Sequence, residues 1–163
     1  MAPLVEAFAR DFAIRAHGDQ KYGSEPYVAH LDAVVAVLNE FGYSGDEYVC
    51  SGYLHDCIED TYILREDISK NFNDEIADIV FAVTDEEGKN RHERHVKTYP
   101  KIAANAKATI VKLADRIANV RHSIDTNNKV DMYKKEHAGF KQALYKQENE
   151  QFWRVLDFLL RDK

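Results

Sequence analysis

An all-α fold in one domain is what this sequence predicts, and three observations carry that expectation. Apolar residues recur three and four positions apart through nearly the whole chain, the period of a helix with one buried face. No stretch sustains the apolar–polar alternation of a half-buried strand. The 3 prolines and 7 glycines are few, and the breaks fall in "HGDQKYGSEP", "FGYSGD" and "DEEGKN", where helices should end. At 163 residues the chain can bury its own core as one domain, 1–163, and needs no second one.

The elements follow in order. Val5, Phe8 and Phe12 mark a helix over 3–16. Pro26 suits the first turn of a second, over 26–41, with Val28, Leu31, Val34, Val35, Leu38 and Phe41 on its apolar face. A third is expected over 46–59, continuous through "GYLHDCIE". A short helix over 65–71 precedes one over 74–83, which Asn73 caps and Ile76, Ile79, Val80 and Val83 bury. The run "GKNRHERHVK" has His92 and His95 three apart, a ligand spacing on a helix, but among Lys and Arg it reads as a mobile, solvated loop and the start of a helix over 91–104, able to lean over a site. Helices over 108–127 and 136–161 complete the bundle; Phe140, Leu144, Phe152, Leu156 and Leu159 form the packing stripe of the last.

Composition narrows the function. Hydrophobic residues at 45% and charged residues at 31% exclude intrinsic disorder. A net charge of −6 argues against nucleic acid as a partner and leaves room for a local basic pocket. The first twenty residues lack the uninterrupted apolar core of a signal peptide, and no segment reaches the roughly 20 apolar residues of a membrane span. No membrane partner is therefore expected, and the expected location is the cytoplasm. Cys50 and Cys57 lie two helical turns apart, too far for a mutual disulfide, and read as reduced thiols. An amphipathic bundle of this size is compatible with a monomer or a homodimer.

The densest chemistry lies in "SGYLHDCIEDT", residues 51–61, where His55, Asp56, Cys57, Glu59 and Asp60 follow the apolar Leu54. Buried charge is costly unless paired or coordinated, so an adjacent His–Asp pair in that setting calls for a partner, and a metal ion is one. On a continuous helix residues four apart share a face. His55 would then stand above Glu59 and Asp56 above Asp60, a ligating pair one turn from a pair of carboxylates able to move protons. One helix cannot fill a coordination sphere. His30 in "SEPYVAHLDAV" and Asp115 in "TIVKLADRIANVRHS" stand on otherwise apolar faces, and each alone is unremarkable. Cys57 is expected to pack as a small apolar group.

Taken together, His30, the adjacent His55 and Asp56, and Asp115 follow the order H…HD…D. With "AHGDQKYGSEPYVAH", "GYLHDCIEDT", "VTDE" and "VKLADRIANVR", the stretch 16–122 resembles the HD superfamily of metal-dependent phosphohydrolases. Within it, the likeness is to the hydrolase domain of RelA/SpoT proteins and the stand-alone small alarmone hydrolases. The resemblance implies a single-domain HD-type helical bundle in which His30, His55, Asp56 and Asp115 hold one divalent ion, usually Mn²⁺ in that family. Ligand type alone fits Mn²⁺, Fe²⁺ or Zn²⁺.

The same resemblance implies that Glu59 and Asp60 are the catalytic acids, which orient and deprotonate water or protonate the leaving oxygen. It places Lys21, Tyr22 and Asn119 at the nucleotide, with His122 near the same pocket. Arg116 is a neighbouring cation expected to make structural ion pairs at least as readily as substrate contacts, and Tyr133 either approaches the substrate or packs in the core or at the surface. Where the family carries two consecutive basic residues this sequence has Lys21 then Tyr22, and His122 replaces a small hydroxyl residue. Both departures bear on substrate choice. The expected activity is removal of the 3′-pyrophosphate of guanosine alarmones, (p)ppGpp to GDP or GTP plus pyrophosphate. Other expectations compatible with the residues are an adenosine alarmone, a nucleoside monophosphate or the 2′-phosphate of NADPH as substrate, or a non-catalytic protein that binds a nucleotide or a partner.

Overall fold

A computed structural model describes residues 2–162. Its helices are α1 (Ala2–His17), α2 (Tyr27–Glu40), α3 (Asp46–Leu54), α4 (Cys57–Asp60), α5 (Arg65–Asn71), α6 (Asp74–Val83), α7 (Arg91–Ala103), α8 (Ala106–Thr126), α9 (Val130–Leu144) and α10 (Glu150–Leu159), with a 3₁₀ turn at Gln147–Asn149. A two-stranded hairpin, β1 (Lys21–Tyr22) and β2 (Glu25–Pro26), sits between α1 and α2. Its strands are antiparallel, Tyr22 opposite Glu25. The turn between them uses Gly23 at φ 61°, a left-handed backbone that glycine adopts without steric cost. The all-α class holds, and the hairpin is an addition to it that two-residue strands are too short to announce by alternation.

The predicted starts at Arg65, Asp74 and Arg91 agree with the structure. Side-chain caps explain the last two: Asn73 accepts from the Ile76 N–H and Asn90 from the Glu93 N–H. Asn105 does the same for the Ala108 N–H and starts α8 two residues before the expected position.

Three expectations are corrected. The helix foreseen over 46–59 is interrupted at His55 and Asp56. His55 Nδ1 donates to the Gly52 carbonyl at 2.7 Å, taking the acceptor a continuing helix would use, and Asp56 adopts φ −101°, ψ 1°, outside the helical region. The helix foreseen over 136–161 is two helices and a turn. A straight helix of that length would run about 39 Å. Instead the chain becomes extended at Tyr145 (φ −62°, ψ 130°), and α10 folds back so that Trp153 meets Phe140 at 5.5 Å and Phe152 stacks on Phe41 at 4.2 Å. Third, the helix start within "GKNRHERHVK" falls where expected, but His95 in it is buried, not solvated.

The core has two parts. One gathers Val34, Leu38, Ile117, Phe140, Phe152 and Trp153 from α2, α8, α9 and α10; the other gathers Leu31, Leu54, Cys57, Ile68 and Val80 from α2, α3, α4, α5 and α6. Helix α8 packs on α2, α3, α6, α7, α9 and α10, so a polar residue on it is held rigidly. Burying a Leu or Ile side chain contributes about 1.5–3 kcal/mol, and these clusters fix where α2 and α8 present their few inward polar groups. Cys50 and Cys57 are both free and buried. Among the described residues no helix is long and apolar enough to cross a membrane.

Candidate active site and metal centre

His30 comes from the first turn of α2, His55 and Asp56 from the interruption between α3 and α4, and Asp115 from the middle of α8. The fold brings all four together. His30 Nε2 lies 2.9 Å from Asp115 Oδ1 and 3.8 Å from Asp56 Oδ2; His55 Nε2 lies 3.0 Å from Asp56 Oδ2 and 3.2 Å from Asp115 Oδ1. Donor atoms at that spacing suit a common centre at ligand distances of about 2.0–2.2 Å. His30, His55 and Asp56 form a cluster able to hold a metal ion, and Asp115 Oδ1 closes its fourth side.

The chemistry of the donors fits a cation. The Gly52 carbonyl can only accept, so the proton of neutral His55 sits on Nδ1 and the lone pair of Nε2 faces the carboxylates. Nε2 is buried and has no hydrogen-bond partner. Burial opposes a charge on His55, yet Asp56 and Asp115 outweigh it and hold the imidazole pKa well above its ordinary value. Burial likewise opposes ionisation of both acids. His55 pulls Asp56 down to about 2, and Lys112 with His55 holds Asp115 well below the usual carboxylate range. The site therefore demands positive charge among two ionised carboxylates.

Around this cluster opens a cleft of about 720 Å³, continuous with solvent. Glu59 and Asp60 line it beside Asp56. The interruption at His55 means that no single helical face carries these groups; the one-turn α4 aims Glu59 and Asp60 into the cleft instead. Glu59 Oε1 accepts from the Asp85 N–H at 2.8 Å. Burial pushes its pKa to about 7, aided by the charge of Asp56 and opposed by that N–H. Burial also raises Asp60, with Asp56 adding to it, and Gln20 Nε2 donates to Asp60 Oδ2 at 3.2 Å.

Another part of the lining is basic. Lys112 Nζ lies 3.3 Å from Asp115 Oδ2. Arg91 and Arg116 both bind Glu136, at 2.6 Å and 3.0 Å, and Arg116 also donates to the Tyr99 hydroxyl at 3.3 Å. That hydroxyl lies 3.0 Å from His95 Nδ1, whose pKa falls to about 4 through burial and then the nearby Arg91 and Lys112. Sequence reasoning allowed the run holding Arg91 and His95 to lean over a site but gave neither residue a role in it. Arg91, His95, Thr98 and Ile102 recur at helical spacing, a signal that the surrounding Lys and Arg obscured.

The remaining candidates divide between this cleft and a neighbour of about 630 Å³. Tyr22, Asn119 and Tyr133 line both. The Tyr22 hydroxyl donates to Asn119 Oδ1 at 2.6 Å, and Asn119 Nδ2 donates to Asp115 Oδ1 at 3.1 Å. The Tyr22 ring stacks on His30 with centroids 4.5 Å apart. Lys21 and His122 line only the second cavity, with Lys129, whereas Arg116 is 2% exposed and tied into its ion pair.

Residues 9–146 match the model of the HD domain. A protein of Synechocystis sp. named probable guanosine-3′,5′-bis(diphosphate) 3′-pyrophosphohydrolase is 36% identical over 126 residues, 72% of this chain and 16% of that protein. The guanosine-3′,5′-bis(diphosphate) 3′-pyrophosphohydrolase of Aquifex aeolicus is 34% identical over 119 residues, 69% of this chain and 17% of its own length. The chain thus spans less than a fifth of the length of these curated relatives. A solved structure described as a metazoan ortholog of SpoT that hydrolyzes ppGpp superposes with a TM-score of 0.83, covering 96% of this chain and 94% of its own, at 24% identity. That likeness is one of fold. An HD domain implies a divalent ion, which the His/Asp cluster is equipped to hold. Matched over most of its length, and with the H…HD…D residues gathered at one point, this chain belongs to the HD-domain family.

Proposed function

We propose that this chain is a metal-dependent phosphohydrolase that removes the 3′-pyrophosphate of guanosine tetra- and pentaphosphate alarmones, and that residues 1–163 form one catalytic domain acting in the cytoplasm. The observation that carries the reading is the convergence of His30, His55, Asp56 and Asp115 beside Glu59, in a cleft that Lys112 and Arg91 also line. The names of the curated relatives point to the same substrate.

Those four residues are the proposed ligands, with Mn²⁺ as the ion. When bound, it supplies the Lewis acidity that activates water and polarises a phosphoryl oxygen. The chain's own groups do the rest. Glu59, with a pKa near 7, exchanges protons close to neutral pH, where acid–base catalysis is most efficient. Water attacks the phosphorus attached to O3′; the new O–P bond forms as the P–O3′ bond breaks. Glu59 takes the proton of the water, and the Glu59/Asp60 pair returns one to the departing ribose oxygen, leaving GDP or GTP and pyrophosphate. Lys112 and Arg91 face the phosphates. Across the Tyr22–Asn119 bond the second cavity offers Tyr22 and Tyr133 as stacking surfaces, Asn119 and His122 as polar contacts for base or ribose, and Lys21 as a cation. Arg116 contributes by holding Glu136.

Tyr22 and His122 leave the base the least constrained part of the reading, so the test is a panel. Pyrophosphate and phosphate release are measured with Mn²⁺ on guanosine and adenosine alarmones, nucleoside monophosphates and NADPH. The expected result is pyrophosphate and GDP from ppGpp. Turnover of an adenosine nucleotide or NADPH alone would retain the metal chemistry and refute the guanosine assignment. Binding without turnover would make the protein a nucleotide-binding module.

A further inference from the structure

One strap of chain, His17 to Tyr27, sends side chains to two acids of the site, Gln20 to Asp60 and Tyr27 to Asp56. Tyr27 is the closest. Its hydroxyl donates to Asp56 Oδ2 at 2.5 Å, the same oxygen that lies 3.0 Å from His55 Nε2. This is the oxygen that faces the cluster. A carboxylate can rotate about its Cβ–Cγ bond and exchange its oxygens; a short hydrogen bond from a fixed donor selects one orientation.

Tyr27 is itself fixed. Its ring stacks on His17 with centroids 4.5 Å apart and 27° between planes, and meets His30 edge-on at 5.7 Å. His17 is anchored in turn, with Nδ1 2.8 Å from Gln20 Oε1. The amide nitrogen of the same Gln20 binds Asp60, and the Gln20 carbonyl accepts from the Tyr27 N–H at 3.1 Å, closing the strap on itself.

We propose that Tyr27 is a positioning residue: through its hydroxyl bond to Asp56 Oδ2, backed by the His17 ring, it holds that oxygen toward the ion and so sets the affinity of the site. The proposal rests on the ligand set given above. It assigns Tyr27 no contact with substrate and no part in proton transfer.

The test is calorimetric titration of Mn²⁺ into metal-stripped protein, with circular dichroism as the check on folding. Tyr27→Phe deletes one oxygen and keeps the ring. Partners of this kind are worth about 10–100-fold in metal affinity, so the dissociation constant should rise about 10-fold or more while the metal-free melting temperature stays near that of the wild type. His17→Leu leaves Asp56 untouched but loosens the ring of Tyr27; it should weaken binding by a smaller factor and covers the case in which Tyr27→Phe does not fold. In the Tyr27→Phe background, His17→Leu should add no further loss.

A Tyr27→Phe protein that binds Mn²⁺ within twofold of the wild type overturns the assignment, as does one that loses melting temperature without losing affinity. If the wild type takes up no ion, the ligand set and this proposal fail together. If the wild type binds and Asp56→Asn does not, only the Tyr27 result decides.

Discussion

Across the cleft, Asp56 and Asp115 crowd two imidazoles of which His30 Nδ1 and His55 Nε2 lack a hydrogen-bond partner, whereas Arg91 and Arg116 share Glu136 and the Tyr99 hydroxyl bridges Arg116 to His95. Both walls are charged and largely buried. One gathers two carboxylates and two imidazoles that a cation would complete beyond the donors Tyr27, Lys112 and Asn119; the other closes its charges within the protein. Buried ionic groups persist when paired or coordinated, and the two walls use the two alternatives. The acidic wall is accordingly where chemistry is expected. The basic wall is a braced surface that holds its shape whether or not a ligand is present.

Substitutions on either wall should then differ in kind. On the acidic wall, Glu59→Gln removes a proton-exchanging group while leaving the ligands, so kcat should drop about 10²–10⁴-fold with the bound Mn²⁺ per chain unchanged by elemental analysis. An active Glu59→Gln enzyme would remove the distinction between the ligand cluster and the acid beside it. On the basic wall, Glu136→Leu strands Arg116, which is 2% exposed. Breaking such a pair costs about 3 kcal/mol, and for a domain of this size that lowers the melting temperature by about 6–12 °C, with metal affinity retained. An unchanged melting temperature would show that the brace is not one.

A smaller effect separates the walls by its sign. Glu59 is raised to about 7 by burial, so the folded chain holds a proton there that the unfolded chain has lost. Its contribution is full below the ordinary glutamate value and disappears as pH rises through about 7. His95 is lowered to about 4 by burial, so its contribution is full above the ordinary histidine value and disappears as pH falls toward 4. Denaturant melts of the metal-free protein from pH 4.5 to 7.5 should show Glu59→Gln flattening the alkaline decline and His95→Gln flattening the acid decline. Identical profiles for both variants would contradict the pKa assignments.

The same contrast describes what was legible in the sequence. His30 and Asp115 stand out because each interrupts an apolar helical stripe, and "HD" followed by "ED" is compact enough to read directly. The helices over 65–71 and 74–83 were legible for a related reason, since their signals lie within a few residues of each other. The interruption at His55 was not. It depends on a side chain taking the Gly52 carbonyl, a competition that periodicity does not register. The turn before α10 depends on Trp153 reaching Phe140, a contact between distant residues. Arg91, His95 and Glu136 were hidden because surface and buried cations look alike until the partner helix is in place, and Glu136 lies 45 residues from Arg91. The hairpin was missed because two-residue strands carry no pattern.

The measurement closest to the central claim is titration of Mn²⁺ into metal-stripped wild-type protein and into Asp115→Asn. One ion per wild-type chain, with binding lost in Asp115→Asn although that residue lies 59 or more positions from the other three ligands, is the predicted result. No saturable uptake by the wild type, or uptake undiminished in Asp115→Asn, would contradict it.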